Sequence, residues 1–415
     1  MGDPGPVGGD TDSDDAGFDE GDIEEVIELE GPEADDALAD EMDEIDLGNH
    51  GDSNQGDEGA EGDMEMMTDD ADVVFSKHIG SVFCIGLDRT TESLAVTGGE
   101  DDKAYVWRLA DGEVLMECGG HKDSVTCACF SHNSALVATG DMGGLVKAWD
   151  VNSREQVWEF EVSDLEWLDW HMAAPVLLAG TVDGDVWMWK VPSGDCKTFQ
   201  GHGCQSTAGK VMPDGKRLSV GYEDGAVKVW DLKQGAALHT FSGHQGHAGA
   251  VTCLDCHHDN VLVMSGATDG TARIWNSAAG KCVSGYTAGP ETGSDEDTNS
   301  VEAVGLSRSQ PLAAVGSLNG TLGVWDIPTG VQRHKCSHPG GIVRLQWVES
   351  GYLLYTSCLD GVTRIWDSRT GATVQQLTGH AEEILDMAVS RDGNIVLTSS
   401  GDNTARVFNL QKPER

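Results

Sequence analysis

The sequence predicts an all-β fold: an eight-bladed propeller with a disordered acidic N-terminal tail. Three observations predict it. An aromatic residue recurs at 107, 149, 189, 230, 275, 325, 366 and 408, at intervals of 42, 40, 41, 45, 50, 41 and 42 residues. Such a period marks a four-stranded unit repeated around a ring. Marker residues also stand at fixed offsets from each aromatic. Finally, the first 72 of the 415 residues hold 29 of the 71 Asp and Glu and no Lys or Arg.

The tail comes first in the chain. Residues 1–72 cannot bury enough apolar surface to offset their ordering entropy, so they are expected to be disordered. Ile23, Val26, Ile27 and Leu29, and further on Leu38, Met42 and Ile45, recur at near-helical spacing. They read as incidental apolar residues of a solvating tail, or as acidic–apolar docking segments.

The repeats are expected over 73–410. Six residues before the terminal aromatic stands Asp101, Asp183, Asp224, Asp269, Asp360 or Asp402, with Gly143 and Asn319 in the second and sixth repeats. Some 28 or 29 residues before it stands His78, His121, His202, His247, His338 or His380, with Glu161 and Asp297 in the third and sixth. Gly-rich turns such as Asp183-Gly184 and Asp224-Gly225 separate short strand-like runs. After Phe408 too few residues remain for a last outer strand. Val73-Val74-Phe75 are expected to supply it and protect the open edge. An acidic insertion at about 288–299 precedes the sixth repeat, and 411–415 form a short end.

These markers resemble the WD40 repeat family. In that family the His, the turn Asp, a strand Ser or Thr and the Trp form a hydrogen-bonded network in each blade. The resemblance implies such sets at His78, Thr97, Asp101, Trp107 and at His247, Ser265, Asp269, Trp275. It assigns the same structural part to His121 with Trp149, Asp183 with Trp189, His202 with Asp224 and Trp230, Trp325, His338 with Asp360 and Trp366, and His380 with Asp402. A buried carboxylate and imidazole are tolerable because each satisfies the other. With Gly143 in place of the Asp, the second network is expected to be incomplete. The third and sixth repeats lack the His and are expected to be looser.

No catalytic, cofactor-binding or metal-ligating set emerges. Cys253-Leu254-Asp255-Cys256-His257 matches a haem-attachment pattern, but in register Val251-Thr252-Cys253 overlays Val125-Thr126-Cys127, an ordinary first strand. Asp295, Asp297 and Asn299 imitate a calcium loop, yet Ser300 and Leu306 occupy the positions for its Gly and Glu. No Gly-rich phosphate loop with a Lys is present, so an enzyme is not expected.

Charge narrows the partners. Outside the tail, 42 acids face 26 bases, so a nucleic-acid backbone is not an expected partner. Basic protein segments are the electrostatic complement. The loop bearing the His and the turn bearing the Asp share one end of a blade. That end is expected to collect Glu100, Asp102, Asp141, Asp185 and Glu223, with Glu291, Asp295, Glu296 and Asp297 from the insertion. Trp167, which overlays Cys127, is a candidate exposed anchor. The sequence shows no export signal and no stretch long enough to span a bilayer, and its eleven scattered cysteines suit a reducing compartment. A cytoplasmic protein is expected, with peripheral membrane association and nuclear presence left open.

A narrower resemblance covers nearly the whole chain. The runs TGGEDDKAYVWRLADGE, GHKDSVTCACFSHNSALVATGDMGGL and APVLLAGTVDGDVWMWKVPSGDCKTFQG, with EEVIELE and EMDEID in the tail, resemble the angio-associated migratory cell protein family. That resemblance implies a non-catalytic scaffold associated with cell migration and angiogenesis at the cytoplasm and cell membrane. Its fungal relatives imply a chaperone holding a basic large-subunit ribosomal protein. A family link to heparin is disfavoured, because no basic residue precedes Lys77.

Overall fold

A computed structural model describes residues 68–289 and 299–411. The apolar tail segments and the insertion acids Glu291, Asp295, Glu296 and Asp297 lie outside the described residues.

The described chain folds into eight four-stranded antiparallel sheets. Strand β1 (Val73–Phe75) is followed by blade 1, formed by β2 (Val82–Leu87), β3 (Leu94–Gly99), β4 (Ala104–Arg108) and β5 (Val114–Cys118). Blade 2 spans 125–161, blade 3 165–199, blade 4 206–241, blade 5 251–287, blade 6 301–337 and blade 7 342–377. Blade 8 holds β30 (Ile384–Val389), β31 (Ile395–Ser400) and β32 (Ala405–Asn409), and β1 is its fourth strand. Val73 pairs with Val407 and Phe75 with Ala405, antiparallel. The expected latch is present, and the ring closes through a strand contributed by the chain's other end. Residues just before β1 extend that seam. Asp70 N–H donates to the Thr378 carbonyl and Asp72 N–H to the Val407 carbonyl.

Short β-rich segments make blades because their alternate side chains face opposite neighbours. First strands line the axis, and each carries a bulge after its first residue, as between Val82 and Cys84. The cores lie between blades. In the space between blades 8 and 1, for example, Phe75, Tyr105, Trp107, Leu397 and Val407 cluster. Since the strands alternate in direction, two kinds of connection share one end of the ring. These are the loops entering each first strand, which bear the His, and the turns between second and third strands, which bear the Asp. This end is the candidate site.

Candidate functional site

The His network is best seen in blade 2. The His121 imidazole lies 2.8 Å from Thr139 Oγ1 through Nε2 and 3.2 Å from Asp141 Oδ2 through Nδ1. Trp149 Nε1–H donates to the same Thr139 hydroxyl at 2.9 Å. The indole can only donate and the carboxylate accepts, so Thr139 O–H donates to Nε2 and Nδ1–H donates to Asp141. Asp141 also accepts the N–H of Lys122 and of Leu145. The expectation of an incomplete second network is therefore corrected. The missing turn Asp is replaced by one two residues earlier, at the end of β7 (Leu136–Asp141). Asp141 is wholly buried and is withdrawn from the surface acids.

Blades 1 and 8 keep the expected His–Asp and His–Thr links, without an indole donor to the Thr. His78 meets Asp101 at 2.9 Å and Thr97 at 3.0 Å. His380 meets Asp402 at 2.9 Å and Thr398 at 2.7 Å. In blade 5, His247 reaches Ser265 at 2.7 Å, but Thr271 Oγ1 stands between Nδ1 and Asp269. Blade 7 departs further. His338 binds Thr356 and the Gly320 carbonyl, while Asp360 pairs with Arg364 at 2.7 Å. In blade 8 Arg406, at the matching third-strand position, also binds Asp402, but there the carboxylate keeps its contact with His380.

Three other assignments are also corrected. Asp183 is exposed, since its blade has no His to bring it inward; Asp185 instead accepts the Gly201 N–H at 3.0 Å. His202 stays near the surface with Asp224, and no hydroxyl receives it among the described residues. Trp167 is 7 % exposed, and its Nε1–H donates to Ser206 Oγ at 2.9 Å between blades 3 and 4. A Cβ on Gly180 would stand 2.0 Å from that indole, and one on Gly209 2.3 Å. The two glycines make the slot, so Trp167 is a wedge and no surface anchor.

Trp107, Trp189 and Trp230 leave their indole N–H without a partner among the described residues. Their packing comes from aromatics on the outer strand of the preceding blade, a pairing the repeat markers do not reveal. Phe75 stacks on Trp107 at 4.6 Å and Phe241 on Trp275 at 4.5 Å. Tyr286 meets Trp325 at 5.0 Å and Phe199 meets Trp230 edge-on at 5.9 Å. Blade 3, which lacks the His, is packed by Trp158, Phe160 and Trp187 around Trp189, with centroids 5.4–5.9 Å from it. Bulky aromatic packing there takes the place of the polar network.

The His-loop end is acidic. Glu100, Asp102 and Glu223 are exposed and Asp185 half-buried, as the sequence suggests. Asp123, Asp164, Glu382 and Glu383 also lie there and are exposed, and Glu166 is half-buried on the first strand of blade 3. Burial raises the Glu166 carboxyl above its ordinary range, and the Asp164 and Glu223 charges add to it. Two neighbouring cations are already paired, Lys103 with Glu117 at 2.7 Å and Lys122 with Glu161 at 3.2 Å. The same loops expose Ile79, Met142, Val182 and Leu359, with Ile79 85 % exposed. The sequence reasoning missed these apolar residues, although they occupy turn positions beside the marker residues.

The opposite end of the axis opens on a cavity of about 710 Å³. Its wall mixes Arg89, Lys210, Arg308, Arg344 and Arg391 with Asp169, Asp255, Glu302 and Glu349. Cys253 and Cys256, the cysteines of the haem-like pattern, turn to different neighbours: Cys253 to the Val301 carbonyl and Cys256 to Ser219.

This geometry agrees with the relatives. The WD domain, G-beta repeat family matches residues 330–367 and 371–409, and the family described as nucleolar protein 10-like, N-terminal domain, matches residues 80–291. The chain is 51 % identical to the human angio-associated migratory cell protein over 411 residues, covering 95 % of this chain and 94 % of the relative. The chain belongs to the angio-associated migratory cell protein family of WD40 propellers. An uncharacterised WD repeat-containing protein of Schizosaccharomyces pombe is 30 % identical over 81 % of this chain and 86 % of its own length. Among solved structures, Chaetomium thermophilum Sqt1, bound to the N-terminus of ribosomal protein L10, superposes with a TM-score of 0.74 at 22 % identity. That match covers 82 % of this chain and all of the neighbour. At that identity the likeness shows the shared propeller fold.

Proposed function

We propose that this WD40 scaffold captures a basic protein segment, without catalysis, on the His-loop end of its propeller. The observation that carries the reading is the gathering of Glu100, Asp102, Asp123, Asp164, Asp185 and Glu223 at that end, where Lys103 and Lys122 are already engaged. Exposed Met142, Val182 and Leu359 at the same end favour a client with apolar side chains between its Lys and Arg residues. The Sqt1 neighbour, bound to a ribosomal-protein N-terminus, supports a large-subunit ribosomal protein as the client class. Such a scaffold acts in the cytoplasm by keeping its client's charges covered until hand-over.

The test is fluorescence anisotropy with a labelled N-terminal peptide of ribosomal protein L10. Wild type is compared with a protein carrying Glu100→Lys, Asp102→Lys, Asp164→Lys, Asp185→Lys and Glu223→Lys. Five rim charges at roughly 0.3–1 kcal/mol each predict at least about a tenfold loss of affinity, together with a flatter salt dependence. Unchanged affinity would place the client elsewhere. A second reading, a scaffold for cell-migration signalling at the membrane periphery, is favoured by the curated name of the mammalian relatives. Recovery of migration-pathway proteins and no ribosomal protein in a low-salt co-purification would support it over the first.

A further inference from the structure

Six repeats carry the loop His, but only five carry the hydroxyl that holds it. Thr97, Thr139, Ser265, Thr356 and Thr398 receive His78, His121, His247, His338 and His380. In blade 4 that position, opposite Gly209, is Val220, wholly buried and unable to bond. His202 is consequently turned over. Its Nε2, and not Nδ1, faces the turn Asp, 2.8 Å from Asp224 Oδ2.

The loop is rebuilt to match. In blades 1, 2, 5 and 8 the residue after the His clamps the Asp with its N–H: Ile79, Lys122, Ala248 and Ala381. In blade 4 that residue is Gly203, held at φ +87°, and no comparable bond joins it to Asp224 among the described residues. A Cβ on Gly203 would meet nothing within 4 Å, so the glycine serves the backbone turn and not packing. The turn presents Cys204 beside His202, with Sγ 3.4 Å from Nε2. The three ligand atoms of His202, Cys204 and Asp224 lie within 4.8 Å of one another, partly open to solvent.

We propose that His202, Cys204 and Asp224 form a binding site for a divalent transition-metal ion of the zinc class. Nitrogen, sulfur and oxygen donors in this combination suit such an ion. Tetrahedral zinc at ordinary bond lengths would set the sulfur and nitrogen roughly 3.6 Å apart, and the nitrogen and oxygen roughly 3.3 Å apart. The first spacing is already met within a few tenths of an ångström, and the second needs only a small opening of the His–Asp contact. Three protein donors leave a fourth position for water or for a side chain of a partner.

An activated nucleophile is the competing reading of a His–Cys pair. Partial burial, with the Asp224 and Glu223 charges, raises the Cys204 thiol above its ordinary range. A metal-free thiol so placed is a poor nucleophile. The same negative surroundings attract a cation that displaces the proton. Thiolate and carboxylate together neutralise a divalent ion.

The experiment is a Co²⁺ titration of the full chain followed by Zn²⁺ displacement. A thiolate-to-cobalt absorption band saturating at one equivalent and bleached by Zn²⁺ is expected. Cys204→Ser should abolish the band and His202→Gln should weaken binding at least tenfold, both with unchanged circular dichroism. Val220→Thr touches no ligand. By restoring the missing hydroxyl it should draw His202 back inward and weaken Co²⁺ binding several-fold. A band that survives Cys204→Ser, or no band in the wild type, overturns the proposal.

Discussion

At the scale of single residues, one hydroxyl decides what a recurring loop His does. Thr139 ties His121 and Trp149 together, so Thr139→Val leaves two buried polar groups without a partner. A loss of about 1–3 kcal/mol is expected, read as a lower urea midpoint at unchanged m. Protonation acts on the same network. Burial, aided by the Arg364 charge, lowers His338 from its ordinary value to about 4, and His78, His121 and His380 are lowered too, mainly by burial. The unfolded chain therefore binds more protons than the fold between pH 6.5 and about 4. This stability is fully present above pH 6.5 and is lost as the pH falls toward 4. Acidification from pH 7.5 to 5 should cost on the order of 2 kcal/mol through His338 alone. Thermal melting across this range checks it; a shallower profile is expected in His338→Gln than in wild type, because His78, His121 and His380 still titrate there, and equal slopes in both would count against the assignment.

At the scale of elements, the latch and the aromatic pairs hold the ring. Phe75 does both: it lies on β1, paired to β32, and stacks on Trp107 of the neighbouring blade. Phe75→Ala should destabilise by about 3–5 kcal/mol, measured by denaturant unfolding. Removing residues 68–75 exposes the β32 edge, so dimers or aggregates are expected by light scattering. A monomer of wild-type stability would show that closure does not depend on β1. The sequence markers located the latch because an outer strand was missing from the last repeat. They did not reveal that Phe199, Phe241 and Tyr286 cap the terminal Trp of the following blade, because these pairs join positions some 30–40 residues apart.

At the scale of the whole molecule, charge is partitioned. The His-loop end carries acids, and the cavity at the other end of the axis mixes Arg and Lys with carboxylates. Residues 1–67 add 26 acids, so removing them is expected to slow association with a basic peptide and reduce its salt dependence, leaving the propeller's melting temperature unchanged. Stopped-flow binding at two ionic strengths measures this; an unchanged association rate would remove the tail from the capture step.

The architecture was legible in the one-dimensional pattern because a propeller repeats one local unit. Period, turn residues and the missing last strand together define eight blades and their closure. Acidity follows from composition. The tertiary structure alone decided which side chain meets which. Asp141 moves into the network because the chain offers a second carboxylate two residues away. Trp167 goes inward because Gly180 and Gly209 open a slot for it. Asp360 turns to Arg364, and His202 is released because Val220 cannot hold it. Each outcome depends on a partner from another strand or blade, and repeat spacing carries no information about whether that partner can accept a hydrogen bond.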